Sequence, residues 1–262
     1  MALDDKTIEA LAETLERCQL DVRDTVKITE AYPQMNLAEG YAVQEAILQR
    51  KLARGGRLIG YKAGLTSHAK MKQMGVTEPV FGFLVDEFVA DEGAAIRIDQ
   101  LIHPKVEPEI GFFTNKALRG PGCNIAAVLA ACDFVFPGIE VIDSRYRDFK
   151  FDAVSVVADN TSAARFVVGG QTASVRDLDL RTLGIVLEKN GVPVAFGAGA
   201  AVVGHPATAV AMLVNHLAAR GQELAAGSLV LSGGITEAVP VQAGDSITLR
   251  VHTLGSVGIR FI

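Results

Sequence analysis

His103-Pro-Lys-Val-Glu-Pro-Glu-Ile-Gly-Phe-Phe113 is a mostly apolar stretch that carries two glutamates close together. In an extended strand, residues two apart project from the same face, so Glu107 and Glu109 point together and the apolar residues between and beside them point the other way. Two neighbouring carboxylates among apolar residues are costly to bury as free anions unless a cation neutralises them. The stretch therefore indicates a strand that holds a hard divalent ion.

A third glutamate, Glu140, lies in Phe134-Val-Phe-Pro-Gly-Ile-Glu-Val-Ile142, where it is the only charged residue and no basic residue follows before Arg145. Three carboxylates without Cys or His suit Mg²⁺ or Mn²⁺ rather than zinc, and they leave coordination positions for waters or a chelating substrate. The alternative is an edge strand whose alternate residues are merely solvated, which a Glu-Pro-Glu sequence also allows. Because Glu140 sits in an apolar run, we favour a metal site formed by Glu107, Glu109 and Glu140.

The composition is that of a globular protein with one large domain or two small ones, since 49% of its 262 residues are hydrophobic and 21% are charged. A net charge of -5 without a basic run excludes the positive stripe that nucleic acids require. Three cysteines without paired spacing favour a reducing compartment, and the acidic N-terminus lacks a secretory signal, so we expect a cytoplasmic protein. The uncharged stretch 191–219 is broken by Gly204-His-Pro206, so we expect no membrane span.

Helical patterns dominate the first part of the chain. They predict helices over residues 5–20, from the capping-box sequence Asn36-Leu-Ala-Glu39 to Gly55-Gly56, and over 67–74 after a strand at 57–66. We therefore divide the chain into a helical N-terminal part, residues 1–75, and a mixed-β catalytic domain, residues 76–262.

Short β-rich runs dominate the second part, with two helices, one over 124–132 and one from Pro206 to Gly221. Asn190-Gly191 lies between two of these runs and predicts a hairpin. The predicted strands are 80–85, 106–113, 134–142, 153–157, 164–168, 185–189, 192–196, 229–231, 247–251 and 257–261. Together these elements predict an α+β fold, a mixed β-roll or barrel with a helical N-terminal part.

Lys62 is a candidate for direct chemistry. It lies in the otherwise uncharged strand end Gly60-Tyr-Lys-Ala-Gly64, where a lone ammonium needs an anionic partner. A substrate carboxylate or a glutamate of the metal site would serve, whereas the alternative is a lysine whose head reaches solvent.

Two further residues have simpler expected roles. Arg145 follows the Glu140 strand and could clamp a carboxylate or pair with Asp143, of which we favour the pairing. His205 precedes Pro206 and is expected to be a helix-start or packing residue rather than a catalytic base.

Six motifs occur together along the chain. They are Gly60-Tyr-Lys-Ala-Gly-Leu-Thr66, Lys72-Gln-Met-Gly75, His103-Pro-Lys-Val-Glu-Pro-Glu-Ile110, Gly138-Ile-Glu-Val-Ile-Asp-Ser-Arg145, Val157-Ala-Asp-Asn160 and Gly204-His-Pro206. In combination they closely resemble the hydratase/decarboxylase family of aromatic meta-cleavage pathways, within the fumarylacetoacetate-hydrolase-like superfamily. The resemblance implies a mixed β-roll with a helical N-terminal portion, a Mg²⁺ held by Glu107, Glu109 and Glu140, and a substrate-contacting lysine at Lys62.

Within this family the choice lies between decarboxylation of 2-oxo-3-hexenedioate and hydration of 2-hydroxypenta-2,4-dienoate. This sequence has Val80 where the hydratases place an Asp, and Tyr146-Arg-Asp-Phe-Lys-Phe-Asp152 resembles the decarboxylase version. Addition of water needs a group that moves protons, which valine cannot do, whereas loss of CO₂ needs no such base. We therefore expect a Mg²⁺-dependent lyase that forms 2-hydroxypenta-2,4-dienoate and CO₂.

The expected substrate is a 2-oxo dicarboxylate. We assign its contacts to Lys62 and Ser162 and to an apolar wall that includes Val80 and Phe81, although Asp159-Asn-Thr-Ser162 taken alone is typical of an ordinary turn. The resemblance also implies association with the hydratase of the pathway, and we expect a homo-oligomer. The alternatives are the hydratase activity, hydrolysis of acylpyruvate C–C bonds, and a non-catalytic binding module stabilised by Ca²⁺.

Overall fold

The computed structural model describes residues 3–169 and 171–262. Its main elements are two β-sheets and six α-helices. The helices are α1 (Asp5–Leu20), α2 (Leu37–Ala53), α3 (His68–Met74), α4 (Ile125–Ala131), α5 (Ala153–Ala158) and α6 (Pro206–Ala219). The strands are β1 (Leu58–Gly64), β2 (Val80–Val85), β3 (Val89–Ala90), β4 (Ala95–Ile96), β5 (Lys105–Thr114), β6 (Cys132–Ile142), β7 (Ala163–Val168), β8 (Ala173–Ser174), β9 (Gly184–Lys189), β10 (Val192–Ala198), β11 (Leu229–Leu231), β12 (Val239–Pro240), β13 (Ser246–Val251) and β14 (Gly255–Phe261).

The long helices begin where local capping signals predict. The Asp4 side chain accepts a hydrogen bond from the Thr7 amide at the start of α1. At the start of α2 the Asn36 side chain accepts from the Glu39 amide, and the Glu39 carboxylate accepts from the Asn36 amide, which completes the capping box. Helix α6 carries Pro206 in its first turn, where a missing amide hydrogen costs nothing. These three predicted helices are confirmed.

One predicted strand is wrong, because residues 153–158 form α5. The Asp152 side chain accepts a hydrogen bond from the Ser155 amide and caps this helix. The helix packs closely on α2, where a Cβ atom at Gly40 would lie 2.8 Å from the Val154 carbonyl oxygen. The valines of this segment favour a strand intrinsically, but the cap and the contact with α2 outweigh that preference.

Strands β5 and β6 form the long antiparallel pair at the centre of the larger sheet. That sheet runs in the order β2-β1-β11-β5-β6-β7-β3, with β12 paired to β5 and β8 paired to β6. The smaller sheet runs β10-β9-β13-β14-β4. Asn190 and Gly191 form the β9–β10 hairpin turn with φ of 56° and 76°, so this predicted hairpin is confirmed. The architecture also confirms the α+β class.

The first 75 residues are tied to the larger sheet. Strand β1 pairs with β2 on one side and β11 on the other, and Leu15 of α1 and Val43 of α2 pack in one apolar cluster with Phe83 of β2. The division between residues 1–75 and 76–262 stays a prediction.

Helix α6 lies within Gly199–Ala219, a helical stretch that is long and apolar enough to cross a membrane by length and composition alone. Val210, Leu213 and Leu217 of this helix are buried in the main apolar core, together with residues of both sheets. Such burial is typical of the core helix of a globular protein.

Candidate metal and substrate site

Glu107 and Glu109 of β5 and Glu140 of β6 converge on one point. The antiparallel register places Glu107 directly opposite Glu140, and Glu109 follows two residues later on the same face. One carboxylate oxygen from each residue lies within 4.8 Å of the others. Glu107 is 8% exposed, and Glu109 and Glu140 are completely buried. The structure therefore brings together the three glutamates that the sequence singles out.

The unsatisfied oxygens of this cluster fit a bound cation. Glu109 Oε2 accepts a hydrogen bond of 2.6 Å from the Gly233 amide, but no donor among the described residues hydrogen-bonds Glu109 Oε1 or Glu140 Oε1. Burial, and next the charge of Glu140, raise the pKa of Glu109 well above its usual range. Burial also raises the pKa of Glu140, although the Lys62 ammonium opposes it. A hard divalent ion would remove these costs, and an oxygen-only ligand set suits Mg²⁺.

Lys62 lies beside the glutamates, and its anionic partner is Glu140. The Lys62 Nζ atom is 2.8 Å from Glu140 Oε2 and donates to the Thr161 carbonyl oxygen at 3.3 Å. Burial alone would lower the pKa of Lys62, but the charges of the glutamates, above all Glu140, outweigh it and leave the pKa raised. Lys62 is therefore a buried positive charge held beside the glutamates.

A cavity of about 440 Å³ opens beside this cluster. Lys62, Glu107, Val80 and Ser162, which the sequence singles out, line this cavity, and apolar side chains of Ile142 and Val156 add to the wall. A larger open groove of about 750 Å³ lies at the start of α6 and contains His205. The described residues place no carboxylate cluster of the metal-binding kind there, so the smaller cavity is the candidate active site.

Phe81 is not part of this cavity wall, and the structure corrects that expectation. Neighbouring residues of a strand face opposite sides, so Val80 in the cavity places the Phe81 ring on the other side of β2. There it contacts the ring of His216 of α6, with 5.2 Å between the ring centroids. Phe83 lies on the same far side.

Arg145 has a different partner from the one expected. Its guanidinium forms a buried ion pair with Asp159 and donates to the Asp143 carbonyl oxygen at 2.7 Å. The Asp143 carboxylate instead accepts from the amides of Ile102 and His103, both at 2.8 Å. The predicted pairing of Arg145 with the Asp143 side chain is therefore wrong, because backbone amides brought close by the fold take up that carboxylate.

The segment that follows Asp159 is not an ordinary turn. Asn160, Thr161 and Ser162 have φ of 48°, 51° and 62°, a conformation that costs free energy in residues other than glycine. The Asn160 side chain accepts from the Phe83 amide at 2.8 Å and donates to its carbonyl oxygen at 3.0 Å, which ties the segment to β2. This conformation directs the Thr161 carbonyl oxygen at Lys62 and places Ser162 at the cavity.

Three further lysines, which no sequence pattern above singles out, also line the cavity: Lys70, Lys105 and Lys150. The stretch 103–113 did contain a signal for Lys105, because this residue precedes Glu107 by two positions and so shares its face of β5. His205, in contrast, is confirmed as a helix-start residue, because its Nδ1 atom accepts from the Ala207 amide at 3.0 Å.

Known proteins resemble this chain over nearly its whole length. A 4-oxalocrotonate decarboxylase of Pseudomonas sp. (strain CF600) is 59% identical over 253 residues, which cover 97% of this chain and 96% of the relative. A 2-hydroxyhexa-2,4-dienoate hydratase of Comamonas testosteroni is 38% identical over 260 residues, with 98% of each chain covered.

A solved structure of a decarboxylase also resembles this chain over its whole length. The 4-oxalocrotonate decarboxylase from Pseudomonas putida G7, complexed with magnesium and adipate, superposes with a TM-score of 0.98 at 53% identity and covers 100% of this chain and 99% of its own. Residues 58–262 match the family model described as the C-terminal part of fumarylacetoacetate hydrolase. The chain therefore belongs to the fumarylacetoacetate hydrolase family, with hydratases and decarboxylases among its relatives.

Proposed function

We propose that this protein is a lyase that decarboxylates 2-oxo-3-hexenedioate (4-oxalocrotonate) to 2-hydroxypenta-2,4-dienoate and CO₂ in meta-cleavage degradation of aromatic compounds. The observation that carries the proposal is the convergence of three buried glutamates beside Lys62, next to a cavity that Lys62 and Glu107 line. The higher identity to a decarboxylase, 59% against 38% to a hydratase, favours loss of CO₂ over addition of water.

Glu107, Glu109 and Glu140 would hold the metal ion, which we infer to be Mg²⁺, with Mn²⁺ as the alternative of the same ligand preference. One related structure carries magnesium and another carries calcium. When bound, the ion supplies a Lewis acid for the carboxylate and keto oxygens of an α-keto acid.

Decarboxylation breaks the C5–C6 bond of the substrate and releases C6 as CO₂. The electron pair forms a C4–C5 double bond, the existing 3,4 double bond moves to the 2,3 position, and the C2 carbonyl oxygen receives the negative charge. A proton on that oxygen completes the product. We assign to Lys62 the role of a fixed positive charge beside this oxygen, where preorganised charge stabilises the developing anion.

The wall of the cavity supports the choice of reaction. Val80 lines it together with Ile142 and Val156, and none of these side chains can carry a proton to or from water. Ser162 lies at the same cavity, and we assign it a hydrogen bond to the substrate.

We further infer that the protein acts in the cytoplasm as a homo-oligomer and associates with the hydratase of the same pathway. The dienol product is the substrate that such a hydratase consumes, and a direct transfer would protect it. Several relatives are hydratases of short oxo or hydroxy acids.

One assay tests the proposed reaction. Purified protein is incubated with Mg²⁺ and 2-oxo-3-hexenedioate, while absorbance and released CO₂ are recorded. We expect one CO₂ for each substrate consumed and no turnover in EDTA. Hydration of 2-hydroxypenta-2,4-dienoate without CO₂ release would instead identify a hydratase, and thermal stabilisation by Ca²⁺ without any chemistry would identify a binding module.

A further inference from the structure

Lys105 differs from the other three lysines that line the cavity in having no acidic partner. Lys62 pairs with Glu140 at 2.8 Å, Lys70 with Glu107 at 3.3 Å and Lys150 with Asp148 at 3.0 Å. No carboxylate among residues 3–169 and 171–262 forms an ion pair with Lys105. Its positive charge is therefore available to an anion that enters the cavity.

The surroundings of Lys105 hold its ammonium in place without neutralising it. The Nζ atom lies over the Phe149 ring, 4.0 Å from the ring centroid, and Phe149 also lines the cavity. An aromatic face attracts a cation but leaves its hydrogen-bond donors free. The ammonium is thus positioned by Phe149 and can still donate to a carboxylate.

The register of β5 places Lys105 at a defined distance from the metal cluster. Lys105, Glu107 and Glu109 share one face of the strand, and exposure rises along this row, from the fully buried Glu109 through Glu107 to the half-buried Lys105. Two residues of an antiparallel strand span about 7 Å. The row therefore runs outward from the buried glutamates, with a cation one step beyond Glu107.

This spacing suits a six-carbon dicarboxylate. A chain of six carbons with C–C bonds of about 1.5 Å spans roughly 6 Å between its two carboxyl carbons. A substrate whose keto-acid end lies at Glu107, Glu109 and Glu140 would therefore bring its other carboxylate close to Lys105.

We propose that Lys105 binds the distal carboxylate of the substrate, the group that leaves as CO₂, and so determines selectivity for dicarboxylates. This inference rests on the proposed decarboxylation. The distal carboxylate loses its charge as the C5–C6 bond breaks, so the contact is stronger in the bound substrate than in the transition state. Lys105 therefore serves recognition and lowers KM, whereas it does not raise kcat.

Binding of two unreactive probes tests this inference independently of turnover. Adipate is a saturated six-carbon dicarboxylate, and hexanoate has the same carbon chain with one carboxylate. Their affinities are measured by calorimetry in the presence of Mg²⁺ for the wild-type protein, Lys105→Met and Lys105→Arg. Lys150→Met is the matched control, because Lys150 lines the same cavity but is paired with Asp148 and mostly exposed.

We expect Lys105→Met to weaken adipate binding roughly ten- to a hundredfold, the effect of one charge-assisted hydrogen bond, and to leave hexanoate binding unchanged. Lys105→Arg should retain the preference for adipate, and Lys150→Met should bind both probes as the wild type does. With 2-oxo-3-hexenedioate, Lys105→Met should raise KM and leave kcat equal or higher. If Lys105→Met does not fold, Lys105→Gln serves in the same comparison.

Equal weakening of adipate and hexanoate in Lys105→Met would overturn the inference, since it would indicate a disturbed metal end of the cavity. A selective loss of adipate in Lys150→Met or Lys70→Met but not in Lys105→Met would overturn it as well. The wild-type protein could bind adipate more tightly than hexanoate in a way that depends on Lys105, yet release no CO₂ from 2-oxo-3-hexenedioate. That result would exclude the proposed reaction but support Lys105 as a binding site for dicarboxylates.

Discussion

Glu109 is the residue whose burial is hardest to explain without a cation. Its side chain is completely inaccessible, its pKa is raised well above the usual range by burial and by Glu140, and among the described residues one of its oxygens has no donor. Such a cluster of buried acids lowers the stability of the metal-free protein, and binding of a cation to the folded state would offset that loss.

Replacing Glu109 by glutamine tests whether this buried acid lowers the stability of the metal-free protein and is needed for metal binding. Glu109→Gln keeps an oxygen that can accept from the Gly233 amide but removes the buried acid. We expect the variant to lose CO₂ release and the rise in Tm that Mg²⁺ produces, while its metal-free Tm equals or exceeds that of the wild type. Thermal unfolding with and without Mg²⁺ measures both effects. Glu237→Gln, at a glutamate that lines the cavity outside the cluster, should retain the Mg²⁺ effect.

Lys62 provides the second test at this scale. Lys62→Met removes a buried ammonium that lies 2.8 Å from Glu140 Oε2, and with it the charge that we propose stabilises the substrate oxygen. We expect kcat to fall by about a hundredfold or more, the usual effect of removing one preorganised donor. Steady-state rates at saturating Mg²⁺ give the value, with circular dichroism to confirm folding. Turnover within a factor of two of the wild type would return Lys62 to a purely structural role.

Among the elements, those with strong local signals were predicted from the sequence, and those decided by contacts between distant segments were not. The capping box fixes the start of α2, and strand alternation alone brings Glu107 and Glu109 to one face. The helix α5 and the left-handed segment 160–162 depend on α2 and on the Asn160 hydrogen bonds to Phe83, which lie far apart in sequence. The sequence alone therefore predicts that the three glutamates come together, but it does not predict the segment 160–162 beside Lys62.

Helix α6 carries a half-buried histidine, His216, whose lowered pKa makes the stability of the fold depend on pH. Burial, and next the charge of Arg220, lower the pKa of His216 to about 4 from 6.5, and its Nε2 atom has no partner among the described residues. Between pH 6.5 and about pH 4, the His216 imidazole is protonated in the unfolded chain but stays neutral in the folded protein. Stability is therefore lost as the pH falls from 6.5 to about 4, by about 1–2 kcal/mol after allowance for partial exposure.

His216→Phe should remove this contribution while keeping a ring between Tyr41 and Phe81. We expect the variant to become more stable relative to the wild type as the pH falls from 7 to 4.5, which means that the difference between their free energies of unfolding increases. Urea titrations at the two pH values measure the difference. A difference that does not change with pH would show that His216 is protonated equally in the folded and unfolded states.

At the scale of the whole molecule, the edge of the smaller sheet is unusually apolar. Strand β10 lies at the end of that sheet, and three of its apolar residues, Val192, Val194 and Phe196, are 61%, 44% and 69% exposed. Neighbouring exposed apolar side chains often mark a surface that another chain covers. A second copy would cover the same stripe on both partners through a two-fold axis. We therefore infer that this edge contributes to the proposed homo-oligomer.

Phe196→Lys tests that inference, because two lysines brought together across a two-fold axis would repel each other and leave their charges poorly solvated. We expect sedimentation velocity to show a smaller assembly for Phe196→Lys than for the wild type, with the fold retained by circular dichroism. Leu20→Lys is the matched control, since Leu20 is 59% exposed at the end of α1, away from the sheet edge, and should leave the assembly unchanged. A monomeric wild type, or an assembly unaffected by Phe196→Lys, would exclude β10 as the interface and leave its apolar stripe exposed to solvent.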